Sequence, residues 1–155
     1  MTDPNEYDPA ARWRDLVGGF ILAFGDIELI TFRLWRDLIN EQPIPHNFKE
    51  RTGRILSELR RDPAAAALVS ILEDSLRLAG KRNTVAHHPL QVQIYEHSLT
   101  GQVLFESVIT SELTDDYIDD AELTELRARA EDLAARLYMI LGFEGAIPAA
   151  RAIHR

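Results

Sequence analysis

The stretch GKRNTVAHHPL, Gly80 to Leu90, gathers Lys81, Arg82, Asn83, His87 and His88 into a few turns of chain. An imidazole titrates near pH 6.5, so it can take or give a proton at neutral pH. A guanidinium holds two oxygens of one phosphate or carboxylate through paired N–H donors and stabilises charge that builds on them. The chain contains no cysteine, which removes disulfides, thiolate nucleophiles and cysteine-ligated zinc or iron–sulfur centres. Its chemistry must come from histidines, carboxylates, hydroxyls or arginines.

A place near a helix C-terminus accounts for the positive charge, because cations meet the negative end of the dipole and the last free carbonyls. It does not account for Asn83, a poor helix former in mid-helix, or for two histidines in succession. At 100° per residue, Asn83 and His87 lie about 40° apart and share one face, whereas Arg82 and His87 are about 140° apart. One helix therefore does not aim Arg82 and His87 at one small point, although the long Arg stem wraps partway round. A second copy would solve this, because a two-fold interface brings the same patch from both subunits into one cleft.

RNTVAH, Arg82 to His87, resembles the signature of the HEPN superfamily: an Arg followed by a polar residue, here Asn as in many members, then a short gap and a His. The resemblance extends to an all-helical chain of about this length with a long first helix and the motif late in a helix. It implies a homodimer with a composite cleft and metal-independent endoribonuclease activity, without a cofactor. In that chemistry the RNA 2′-hydroxyl attacks the neighbouring phosphorus. His87 would be the general acid or base, Arg82 the phosphate clamp, and Asn83 the residue orienting His87 or a phosphate oxygen. Arg77, Lys81 and His88 are candidate RNA contacts. Lys81 and His88, seven residues apart, fall nearly on one face, although solvated side chains would explain them equally well. The family's behaviour further implies a toxin or phage-defence effector restrained by an antitoxin or regulatory protein. The other reading is a catalytically silent dimer of the same type, serving as an adaptor or RNA-binding subunit. A helical structural or signalling protein whose motif is only a charged helix end is a third.

Charge bears on these readings. The net charge of −8 argues against a broad nucleic-acid coat. It is segregated, however: His46 to Leu90 holds eight Lys/Arg against five Asp/Glu, and the rest of the chain nine against twenty. A local positive site on an acidic body fits this pattern, as do scattered solvated charges. Glu28, flanked by Ile27 and Leu29, is an acid within reach of Arg82 across the bundle, but an ordinary surface carboxylate is the commoner case. His46, His97 and His154 read as loop or surface histidines. The HH and EH pairs are spaced too loosely to name a zinc site.

The elements that position the motif follow from periodicity. At 155 residues and 46% hydrophobic content the chain suits one domain over its whole length. Asp8 and Pro9 offer an N-cap and first helical position. Trp13, Leu16, Phe20, Phe24, Ile27, Leu34 and Leu38 then form one apolar stripe that ends before Pro43. Gly18, Gly19 and Gly25 within it suggest close approach by another helix, or a kink. A second helix is expected from Asn47, with Glu50 in capping-box position, to near Arg61. A third begins at Asp62 and Pro63, buries Leu68, Ile71, Leu72, Ser75 and Leu78, and stops at Pro89. Alternation from Leu90 to about residue 109, with a turn in SLTGQ, predicts a hairpin. The acids of TDDYIDDAEL suit the start of a last helix, where Leu123, Leu126, Ala130, Leu133, Leu137 and Ile140 form a seam and Gly142 stops it. The expected fold is all-α, an up-and-down four-helix bundle with a small β-hairpin inserted before the last helix. The acidic N-terminus lacks signal-peptide features and no stretch is apolar enough to span a bilayer, so a cytoplasmic location without membrane contact is expected.

Overall fold

The computed structural model describes residues 9–111 and 113–142. Four helices, α1 (Pro9–Leu38), α2 (Phe48–Leu59), α3 (Ala66–His87) and α4 (Asp120–Leu141), pack around a common apolar core. Three antiparallel strands in the order β1 (Leu90–Glu96), β2 (Val103–Ser111), β3 (Asp116–Ile118) join α3 to α4. The chain is thus mostly helical with a small sheet, and no described helix is long and apolar enough to cross a membrane.

The helix ends follow local side-chain chemistry. Asn47 Oδ1 accepts from the backbone N–H groups of Lys49 and Glu50 at 2.9 and 3.2 Å, which starts α2. Asp62 caps a short 3-10 turn, Pro63–Ala65, that leads into α3. His88, the residue before Pro89, is extended at φ −116° and ψ 138°, so α3 stops at His87. Gly142 takes the left-handed conformation at φ 59° and closes α4. Asp8, the expected first cap, lies outside the described residues, as does His154. Leu38 and Ile140 depart from their stripes and are exposed, while the other stripe residues of α1 and α4 are buried.

Two features differ from expectation. The hairpin is part of a three-stranded sheet, because Tyr117 and Ile118, expected in the approach to the last helix, pair with Thr110 and Ile109 of β2. Burial of Ile118 in the core outweighs the helix-start preference of the acids, and Asp119 becomes the cap of α4, its Oδ1 accepting from the Glu122 N–H at 2.7 Å. The helices also do not alternate up and down. Arg12 pairs with Asp120 and Asp15 with Arg127, so α1 and α4 run in the same sense. Phe24 meets Phe48, Thr31 meets Arg51, and Trp35 lies under Arg54, so α2 follows α1 in that sense too. Lys81 with Glu122 and Asp74 beside Arg129 set α3 against α4. Of the three α1 glycines, Gly19 shows the close approach: a Cβ there would come within 2.5 Å of the Arg127 side chain, whereas Gly18 and Gly25 have open space.

The shared sense of α1 and α2 depends on the connection 39–47, which turns back along α1. The Trp35 indole donates to the Glu41 carbonyl at 2.8 Å. Arg51, 1% exposed, donates from Nε to Thr31 Oγ1 at 2.9 Å and from Nη1 to the Pro45 and His46 carbonyls at 2.6 and 3.2 Å. Its guanidinium also lies 3.6 Å from the centre of the Phe32 ring. Burial lowers the pKa of Arg51, and the nearby Glu28 carboxylate acts in the opposite direction. A charged group at this depth is tolerated because acceptors, ring and carboxylate all compensate it. Arg51→Met leaves Thr31 and two carbonyls without their donor, at about 1–3 kcal/mol for each group left buried. Urea unfolding should show a loss of about 3 kcal/mol or more; a loss below about 1 kcal/mol would contradict the role given to this side chain.

Candidate active site

The last turns of α3 carry the motif, and two of its faces are occupied differently. One face is anchored. Asp116 at the start of β3 accepts from the Thr84 and Thr114 hydroxyls at 2.6 and 2.8 Å and pairs with Lys81 Nζ at 3.0 Å, and Lys81 also reaches Glu122 at 2.9 Å. The Thr84 hydroxyl, followed by Thr114 and Lys81, outweighs burial and holds the Asp116 carboxyl down to about 2 from an ordinary 3.8. Burial pulls the Lys81 ammonium down, but Glu122 and Asp116 outweigh it and leave its pKa raised. Lys81, expected on a phosphate track, is therefore held by two carboxylates of β3 and α4.

The other face is open and holds Arg82 and Asn83. The Arg82 guanidinium donates from Nη2 to Glu28 Oε2 of α1 at 3.2 Å and from Nη1 to Asn83 Oδ1 at 3.1 Å. It lies 5.7 Å from the centre of the Phe24 ring. Its Nε is buried and makes no hydrogen bond among the described residues. These groups line a cleft of about 440 Å³ whose walls include Phe24 and Glu28 from α1, His46 from the 39–47 connection, Lys49 from α2, and Arg82 and Asn83 from α3. A larger cleft of about 760 Å³ lies under the sheet, between Trp13, Val92, Phe105 and Asp119.

The remaining motif residues are dispersed. His87 is exposed at the end of α3 and is not among the residues lining the Arg82 cleft. The Asn83 carboxamide oxygen, expected to orient His87 or a phosphate oxygen, receives the guanidinium instead. His88 Nδ1 lies 3.1 Å from the Thr84 carbonyl, so its ring joins its backbone N–H in closing the helix end. Arg77 is largely exposed and pairs with Asp74 one turn back. Among the described residues, no three His, Asp or Glu side chains converge in a group able to hold a metal ion. The chain thus brings Arg82 and Asn83 together and leaves His87 outside their cleft, in keeping with the 140° separation along one helix. Sequence periodicity could not bring His46 and Lys49 into the cleft, since the return of the 39–47 connection places them there; the +3 balance of the His46–Leu90 stretch was the one faint signal.

No protein-family model matches this chain, and neither a curated protein nor a solved structure shows similarity to it.

The Asp116 anchor has a pH signature. A carboxyl whose folded pKa is depressed contributes stability above its unfolded value of 3.8, and that contribution is lost as pH falls toward about 2. Asp116→Asn should therefore be less stable than wild type at neutral pH, with the gap closing across that acid range in parallel thermal melts. A gap independent of pH would mean that the carboxylate charge contributes nothing.

Proposed function

We propose that this chain is a metal-independent endoribonuclease of the HEPN type, working as a homodimer whose shared cleft joins Arg82 and Asn83 of one copy to His87 of the other. The observation that carries this reading is the state of Arg82. Its guanidinium is held by Glu28, Asn83 and the Phe24 ring and lines an open cleft on the motif helix, while its buried Nε has no hydrogen-bond partner among the described residues. A guanidinium held in this way has little orientational freedom left to lose when a phosphate arrives.

In the proposed reaction the 2′-oxygen of RNA forms a bond to the adjacent phosphorus while the bond from phosphorus to the 5′-oxygen breaks. One proton leaves the 2′-hydroxyl and one reaches the departing 5′-oxygen, giving a 2′,3′-cyclic phosphate and a 5′-hydroxyl. His87 carries one of these protons, and Arg82 neutralises charge on the non-bridging oxygens. Within the same reading the chain is a toxin or phage-defence effector, restrained in the cell by an antitoxin or regulatory protein.

A second reading has its own observation. The Glu28 carboxylate already occupies part of the guanidinium, and a chain that uses Arg82 only to tie α3 to α1 would be a silent adaptor or RNA-binding subunit. The two readings separate in one assay. Wild-type protein incubated with a mixed RNA pool in EDTA should generate cyclic-phosphate ends, and His87→Ala should cut about 10²–10⁴-fold more slowly. Because His87 is exposed, the variant should melt like the wild type. A folded dimer that leaves the pool intact would favour the silent reading, and equal cutting by both proteins would remove His87 from the chemistry.

A further inference from the structure

Transesterification needs two proton transfers on opposite sides of phosphorus, and the HEPN-type motif supplies one imidazole per chain. The cleft contains another. His46 lines the same cleft as Arg82 and Lys49, although its residue type and place in a proline-rich connection suggested an ordinary surface histidine. Its position is held from beneath: the His46 carbonyl accepts from the buried Arg51 guanidinium at 3.2 Å, and the following residue, Asn47, caps α2. Main chain anchored on both sides gives the imidazole a fixed base while its ring stays accessible.

The charged groups that share the cleft with His46 are Glu28 from α1, Lys49 from α2 and Arg82 from α3. Two cations against one carboxylate make the cleft net positive on a chain whose overall charge is −8. That balance suits a phosphodiester, with Arg82 and Lys49 as its donors and Glu28 holding Arg82 in place.

We infer that His46 is the second proton-transfer residue of the site and Lys49 a further phosphate contact, both from the chain that supplies Arg82. The inference rests on the ribonuclease reading above. One imidazole, His46, approaches the phosphate from the cleft wall, and His87 of the second copy approaches from the other side. One of them accepts the 2′-hydroxyl proton and the other donates to the 5′-oxygen.

The test is a comparison of wild type, His46→Ala, His46→Gln, Lys49→Ala and His87→Ala on RNA, with full pH–rate profiles and thermal melts of each. Both His46 variants should fold normally, lower kcat by about 100-fold or more with little change in KM, and lose one limb of the bell-shaped profile. Lys49→Ala should raise KM and reduce the slope of log affinity against log salt by about one. Cutting that needs His87 but keeps wild-type kcat and both limbs in the His46 variants would overturn this inference and leave the ribonuclease reading standing. Failure of the wild type to cut any RNA would overturn both.

Discussion

A buried guanidinium is the constraint on which the rest of this structure depends. Arg51 enters the core only because Thr31, the carbonyls of residues 45 and 46 and the Phe32 ring converge on it. Satisfying it requires the chain after α1 to turn back rather than run straight into an antiparallel partner. That return brings the start of α2 beside the middle of α1, where Phe48 packs edge-on against Phe24 at 5.0 Å between ring centres. The same return puts His46 and Lys49 in the cleft lined by Arg82 and Asn83 of α3. The buried charge thus sets both the helix order and the composition of the cleft.

The end of α3 is held so that the face carrying Arg82 and Asn83 stays open. Thr84 and Lys81 are committed to Asp116 and Glu122, and His88 to the Thr84 carbonyl. These contacts tie α3 to the sheet and to α4 on one side. Arg82 turns the other way, toward α1, where Glu28 and Phe24 restrict it without using all of its donors. A charged helix end serving only the dipole would need neither arrangement. A catalytic arginine benefits from both, because an orientation fixed before substrate arrives is not a cost during reaction.

Much of this was legible in the residues. The caps at Asn47 and Asp62, the stop at Pro89 and the glycine at 142 are local effects, and each acts where its chemistry predicts. The apolar stripes of α1, α3 and α4 likewise reflect one helix at a time. Long-range competition was not legible. Tyr117 and Ile118 follow acids that favour a helix start, and only pairing with β2 makes them a strand. The relative sense of α1 and α2 turns on a single buried arginine that looks, in sequence, like any surface charge. For the same reason Arg82 and Asn83 were readable as candidates from their spacing, Glu28 only as an acid within reach, and His46 not at all.

The proposed site is completed by a second copy, since Arg82 lines a cleft that His87 of the same chain does not enter. It is tested most directly by RNA cleavage per protomer across a dilution series, with mass measured on the same samples. The shared site predicts specific activity that falls in proportion to the fraction of dimer as the protein is diluted. A monomer that cuts RNA with undiminished specific activity would contradict it.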